Sequence, residues 1–329
     1  MIVIGIESSA HTFGVGIVDN GKVIANEKEM YKITDKGIVP SRVADFHMGN
    51  AAKVIRRALH TAGLGIKDIE GIGYTMGPGI GTCLNVGMLA AKSLAYFLKV
   101  PIVPVNHAVA HIEIARKFAN MQDPIALYVS GGNSQILKLY KSEHGRGAGR
   151  YHVLGETFDI GVGNMLDSFA RSAGLNPAWG STVAEKAKKG KFVPLPYTVK
   201  GMDFTFTGLL THSIKLIRKV PIEDLCYSLQ ETAFAMLCEA TERALLLTNS
   251  SELCVCGGVA QSERLKAMLS EMAREHRVKF GFAPNEFNAD NGAMIAYVAE
   301  RMLENGVKCS IDSCTIKQRY RIDSAEVYQ

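Results

Sequence analysis

The sequence predicts an α/β protein of two similar lobes, and three observations lead there. The chain opens on a strand, turn, strand, strand pattern; the pattern returns near residue 125; and helical stretches alternating with short strands lie between the copies. The first copy is read from the β-rich runs 2–6 (IVIGI) and 13–18 (FGVGIV) around the turn-like "ESSAHT", with "GKVIANEKEM" continuing in period-two alternation. The second copy is "IALYV", "SGGNS" and "QILKLY" over 125–140, two apolar strands around a polar loop. Between them, "HMGNAAKVIRRALHTAGL" reads as a helix ending at a glycine stop. "TCLNVGMLAAKSLAYFLKV" reads as another after the loop "MGPGIG", and short strands at 71–75 and 101–105 separate them. The second half repeats the style, with helices near 221–248 and 261–275, strands at "ELCVCGG" and "VKFGFA", and a helix from about Asn291 to Glu304. Residues 1–118 with 291–329 are the expected first lobe and 119–290 the second. The segment 145–205, richer in Gly, Pro and charge ("HGRGAG", "AEKAKKGK", "PLPY"), reads as an insertion or cap on the second lobe.

Bulk composition bounds the function. A chain of 329 residues with 47% hydrophobic residues is longer than one average domain needs. A net charge of +5 permits an anionic partner such as a nucleic acid without demanding one. Seven cysteines show no C-x-x-C pair, only Cys254-x-Cys256 and a loose Cys309/Cys314, so neither a zinc knuckle nor a secreted disulfide framework is indicated, and a reduced cytoplasmic compartment fits best. The apolar N-terminus lacks a basic leading region and runs quickly into Gly, Ser and Asp, which reads as a folded strand. No run is long enough to span a bilayer, so no membrane partner is expected.

Three polar or glycine-bearing turns follow apolar strands: 7–12 (ESSAHT), 130–134 (SGGNS) and 256–262 (CGGVAQS). Backbone N–H groups freed by glycine, with Ser, Thr or Asn side chains beside them, form an anion-binding concavity, and a helix start after the last turn adds its dipole. Each alone reads more readily as a tight hairpin turn than as an anion site. Three at corresponding ends of two lobes favour a nucleotide held in a cleft between them. None has the G-x-G-x-x-G or G-x-x-x-x-G-K-[ST] spacing, which disfavours a dinucleotide fold and a P-loop enzyme.

In "VNHAVAHIE", His107 and His111 stand four residues apart, a spacing that on a helix aims both imidazoles to one side, towards one metal ion. Asp290 in "FNADNGAM" and Tyr128 before "SGGN" could add oxygen ligands, while the bland alternative is a pair of helix-start histidines held by backbone groups. A zinc peptidase of the H-E-x-x-H type needs a carboxylate where this chain has Ala108, so peptide hydrolysis by that route is poorly supported.

Nine ordered motifs, among them "GIESSAHTFGVGIV", "MGPGIGTCLNVGMLAAKSLA", "VNHAVAHIE", "LYVSGGNSQ", "GETFDIGVGNMLDSFAR", "CGGVAQSERL" and "FNADNGAMIAY", run from about Ile2 to Tyr320. Together they resemble the tRNA threonylcarbamoyladenosine-forming family, in its archaeal and eukaryotic branch the catalytic subunit of the KEOPS assembly, once labelled a sialoglycoprotein endopeptidase. The resemblance implies the actin, heat-shock-70 and sugar-kinase (ASKHA) fold, two duplicated ribonuclease-H-like lobes around a nucleotide cleft. It implies an iron or zinc ion on His107, His111, Tyr128 and Asp290. It implies an adenine nucleotide, threonylcarbamoyl-AMP as donor with ATP or ADP able to occupy the same place, held by Tyr128, Val129, Ser130, Gly131, Gly132, Asn133, Asp167, Gly180, Gly257, Gly258 and Ser262. The implied reaction passes the threonylcarbamoyl group to N6 of the adenosine just 3′ of the anticodon in tRNAs reading ANN codons, releasing AMP.

Two departures from the family pattern stand out. Ser262 replaces the asparagine of G-G-V-A-A-N with a shorter polar group, and "PAWGSTVAE" keeps Gly180 but puts Ala184 where a glutamate is expected, with Glu185 one step along. Because the donor is a mixed anhydride, the enzyme mainly positions and polarises; Glu7 and His11 are the candidates for proton removal, with a structural acid and a phosphate contact as their alternatives. Positive charge lies at Arg56 and Arg57, Arg116 and Lys117, 186–191, Arg218 and Lys219, and 317–321. With only +5 overall, this predicts weak tRNA affinity by the chain alone. The resemblance names helpers: a small atypical kinase, in some archaea fused C-terminally, a dimerising small subunit and an adaptor. The competing readings are a metalloendopeptidase and an ATP-binding scaffold or ATPase without transfer activity.

Overall fold

A computed structural model describes residues 1–32, 38–141 and 148–328; residues 144–147 of "HGRGAG" lie outside them. The order of elements is β1 (Ile2–Glu7), β2 (Thr12–Asp19), β3 (Lys22–Met30), α1 (Pro40–Ala62), β4 (Gly71–Gly77), α2 (Gly81–Leu98), β5 (Ile102–Asn106), α3 (His107–Ala119), β6 (Ile125–Val129), β7 (Ser134–Lys141) and β8 (Ala148–Glu156). Then come α4 (Val162–Ser172), α5 (Gly180–Ala187), β9 (Val199–Lys200), β10 (Asp203–Phe204), α6 (Thr207–Leu216), α7 (Ile222–Thr248), β11 (Glu252–Cys256), α8 (Glu263–Glu275), β12 (Lys279–Phe282), α9 (Asn285–Asn288), α10 (Gly292–Glu304) and β13 (Val327–Tyr328). Helix α1 starts well before the expected His47, because Pro40 sits in its first turn, where a missing N–H costs nothing. It stops at Gly63, which takes the left-handed conformation. Helix α2 stops without glycine, on a left-handed Lys99.

The chain divides into two compact units, Met1–Ile114 with Tyr140–Tyr151 and Ala289–Gln329, and Ala115–Leu139 with His152–Asn288. In the first, the sheet order is β3-β2-β1-β4-β5; β1 runs antiparallel to β2 and parallel to β4, and β4 parallel to β5. In the second, strands follow the order β8-β7-β6-β11-β12, with β6 antiparallel to β7 and parallel to β11, and β11 parallel to β12. Over these five strands the two orders match, which is the duplication the hairpins foretold.

Alternation along the first unit's strands sorts residues by size. Ile4, Ile6, Phe13, Val15, Ile17, Ile72 and Tyr74 join Val54, Ala58, Ala91 and Ala95 of α1 and α2 in one buried cluster. The other face carries Gly16, Gly5 and Gly73, paired in register across β2, β1 and β4. Helix α10 lies on that stripe: a Cβ on Gly16 would fall 2.1 Å from the Ala293 nitrogen, and one on Gly5 2.1 Å from that of Ala296. The glycines let helix and sheet backbones nearly touch, and this fixes where Asp290, two residues before α10, stands. In the second unit, Ile125, Leu127, Ile136 and Val255 pack with α4, α7 and α8 in a larger apolar cluster. Helix α4 buries Val162, Met165, Leu166, Phe169 and Ala170 on one stripe.

Candidate metal centre and nucleotide-binding turns

In the first unit, strand β5 ends at Asn106, whose Oδ1 accepts hydrogen bonds from the backbone N–H groups of Ala108 (2.9 Å) and Val109 (3.1 Å). That cap starts α3 at His107, so His111 follows one turn later on the same side. Their ring centroids are 4.6 Å apart, edge to face. Asn291 does the same for α10, its Oδ1 accepting from Met294 N at 3.0 Å. Asp290 therefore projects from just outside a second capped helix start.

The three side chains converge. Asp290 Oδ1 lies 3.3 Å from His111 Nε2 and 3.6 Å from His107 Nε2, and one donor atom from each residue falls within 4.8 Å of the others. Both histidines are buried and Asp290 is half-buried. Behind them, Glu7 at the end of β1 has no exposed surface. Its Oε2 accepts from His107 Nδ1 (2.9 Å) and from Thr75 Oγ1 (2.6 Å), while Oε1 accepts from Ser9 N (2.6 Å). A carboxylate on Nδ1 fixes the ring so that Nε2 faces the trio, the carboxylate–histidine arrangement that orients metal ligands.

The electrostatics favour a cation. Burial opposes charge on Glu7, but His107 outweighs it and holds the carboxyl below its ordinary value. Burial likewise opposes charge on His107, yet Glu7 and then Asp290 push its pKa up to about 9. Desolvation pushes His111 down. Asp290 resists its own burial through the hydrogen bond from His111 and the charges of His107, His111 and His11, which hold it well below the usual carboxylate range. Two carboxylates against one imidazolium leave a buried excess of negative charge that a cation relieves. Two imidazole nitrogens and a carboxylate oxygen suit zinc or iron(II), with positions left for further ligands.

His11 sits on a pinned segment. The His11 carbonyl accepts from Tyr31 N (2.8 Å) and the Ala10 carbonyl from His47 Nε2 (2.8 Å). His47 is fully buried, and desolvation keeps it neutral, with the proton on the nitrogen that bonds Ala10. His11 itself is half-exposed and near enough to Asp290 to stabilise its charge.

In the second unit, Tyr128 is buried on β6, paired in register with Cys256 of β11 and Gln135 of β7. Residues 130–133 close a tight turn, with Ser130 N donating to the Asn133 carbonyl (2.8 Å) and Asn133 N to Ser130 Oγ (3.1 Å). The start of α4 rests on this turn, Asn164 N reaching the Gly131 carbonyl at 3.0 Å. Gly132 faces open space. Gly257, at φ 94°, takes a conformation only glycine adopts easily, and a Cβ there would meet the Val129 carbonyl oxygen at 2.3 Å. Gly258 begins a 3₁₀ turn through Gln261, and Ser262 caps α8, its Oγ accepting from Leu265 N. Asp167, on α4, accepts from Gly180 N at 2.7 Å and so anchors the start of α5.

The sequence reading had missed the helpers Asn106, Thr75 and His47. An asparagine just before a helical pattern is a readable cap signal. Thr75 and His47 act across 68 and 37 residues of chain, and no local pattern announces them.

Fold and trio together define an α/β protein of the actin, heat-shock-70 and sugar-kinase class that carries a candidate His-His-Asp metal centre. The chain belongs to the TsaD family, tRNA N6-adenosine threonylcarbamoyltransferase, whose profile matches residues 21–297. It is 45% identical over 330 residues to a tRNA N6-adenosine threonylcarbamoyltransferase of Thermococcus kodakarensis, covering 99% of both chains. It is 44% identical over 328 residues to a probable bifunctional tRNA threonylcarbamoyladenosine biosynthesis protein of Thermoplasma volcanium, covering 99% of this chain and 61% of that one, so it spans about three fifths of that relative's length. Among solved structures, HypF of T. kodakarensis shares the fold, with a TM-score of 0.58 at 17% identity over 92% of this chain and 47% of the other.

Proposed function

We propose that this chain is the acyltransferase that moves the threonylcarbamoyl group from threonylcarbamoyl-AMP to N6 of the adenosine 3′ of the anticodon in tRNAs reading ANN codons. The observation that carries the reading is the convergent His107, His111 and Asp290 trio, with Glu7 behind it, in a chain 45% identical end to end to a relative bearing that activity's name. N6 attacks the donor's carbamoyl carbon, the new C–N bond forms as the bond to phosphate oxygen breaks, and AMP departs with the electron pair. The exocyclic amine must also lose a proton.

His107, His111 and Asp290 would hold the ion, and Tyr128 is a further ligand only by the resemblance. A bound zinc or iron ion supplies Lewis acidity, favouring negative charge on donor oxygens. Glu7 orients His107: enclosed and accepting three hydrogen bonds, its carboxylate is a positioning group and leaves proton removal to half-exposed His11. The turns at 130–133 and 257–258 supply backbone N–H groups to the nucleotide, and Asp167 with Gly180 would contact its ribose, as the resemblance implies. Ser262, engaged as a helix cap, offers a weaker contact than the family's asparagine.

The chain works as the catalytic subunit of a KEOPS-like assembly in the cytoplasm. The bifunctional Thermoplasma volcanium relative, longer than this chain, supports a partner that is fused in some organisms, which the resemblance implies to be a kinase. Purified chain with these partners, threonylcarbamoyl-AMP and an ANN-reading tRNA should yield threonylcarbamoyladenosine in nucleoside mass analysis, and His111→Ala should lose it. Unmodified tRNA from the active assembly would refute the reading.

A further inference from the structure

Most of the chain's net charge is concentrated in two short segments. Residues 185–191 and 215–224 hold seven basic and three acidic residues, an excess of four in a chain of net +5. The fold brings them together within the second unit. Lys186 Nζ pairs with Glu223 at 3.2 Å, Lys189 acts on the same carboxylate, and Lys191 N donates to Asp224 at 2.7 Å. Arg218 and Lys219 precede Glu223 by only a few residues, a reach of at most about 18 Å of chain. Lys186, Lys188, Lys189, Lys191, Arg218 and Lys219 are all exposed. Beside them Phe192 is 58% exposed, a bare aromatic face next to the lysines.

The patch is tied to the donor side of the site. Gly180, anchored to Asp167, opens α5, and the lysines stand at and beyond its other end, about 12 Å along an eight-residue helix. We infer that this surface, the end of α5 with the turn before α7, is where the tRNA backbone docks, its lysines on phosphates and Phe192 available to stack on an unpaired base. The inference rests on the proposed transfer reaction, whose acceptor is the one polyanion that reaction requires. The other 312 residues of the chain carry a net charge of only about +1.

The test uses full-length chain with its partner subunits and a labelled ANN-reading tRNA, measuring Kd across a salt series alongside transfer. The triple variant Lys188→Gln, Lys189→Gln and Lys191→Gln should weaken binding at least about tenfold at moderate salt and lower the slope of log Kd against log salt by about two to three. The matched arginine variant should bind like the parent, which separates charge from folding. Removing equal charge elsewhere (Lys22→Gln, Lys67→Gln, Lys308→Gln) should have less than about a threefold effect. Unchanged affinity and slope in the first triple variant would overturn the inference, as would loss of a partner subunit with tRNA binding intact, the mark of an acidic protein at this face. Parent chain that binds tRNA but leaves it unmodified would sink the transfer reading, while the salt series would still decide the patch.

Discussion

The two units share one strand order and use it for opposite purposes. In the first, glycines 16, 5 and 73 form a stripe across three strands, and α10 presses onto it. In the second, β6, β7 and β11 carry no glycine, and Leu127, Ile136 and Val255 fill the sheet's surface instead. Close backbone packing delivers a carboxylate, Asp290, to two imidazoles. The bulkier sheet supports the glycine-bearing turns proposed above to hold the nucleotide. One duplicated scaffold thus gives a charged centre in one copy and a neutral cradle in the other, depending on what lies on the sheet.

The comparison breaks most severely at the glycine stripe. Gly16→Val forces side-chain atoms into the Ala293 backbone and should cost at least about 3 kcal/mol in urea unfolding, whereas Val255→Ala in the second sheet leaves only a small void and should cost about 2 kcal/mol. His111→Ala should abolish stoichiometric zinc or iron binding and reduce transfer to background while the fold survives, as read by metal analysis and circular dichroism. Glu7→Gln keeps the shape but loses the anionic acceptor on His107 Nδ1, so metal affinity should fall roughly 10- to 100-fold in a chelator competition.

Smaller effects belong to the second unit. Asp159 accepts from the backbone N–H groups of Ile160, Phe206 and Thr207; burial opposes its charge, but these donors hold its carboxyl below the ordinary value. A depressed carboxyl stabilises the fold above its unfolded pKa and loses that contribution as pH falls through the folded one. Asp159→Asn should therefore cost about 1 kcal/mol at neutral pH, with the gap to the parent closing under strong acid. Ser262→Ala removes the α8 cap and should cost about 1 kcal/mol without altering metal affinity.

Much of this was legible in the sequence. Period-two runs gave both hairpins, and Gly63, just past α1, marked its end. His107 and His111 announced themselves by spacing alone, because one helical turn is a local property. Asp290 was legible only as a candidate oxygen ligand at a helix start; its approach depends on glycines in three strands, a relation no single window contains. The helices α4 and α5 were obscured in a segment rich in glycine, proline and charge, where short apolar stripes such as Val162, Met165 and Phe169 are easily overlooked. Glu7 reads from the sequence as a candidate for proton removal or a structural strand-end acid, and only its three-dimensional contacts with Thr75, Ser9 and His107 support the positioning role proposed for it.

The most direct test is to strip the assembly of metal, restore zinc or iron(II) in steps, and follow threonylcarbamoyladenosine formation against metal bound per chain. Product should rise in proportion to occupancy, level off at one ion per chain, and stay at background for His111→Ala throughout. Full transfer by the metal-free parent, or a His111→Ala variant that responds to added metal like the parent, would contradict the account.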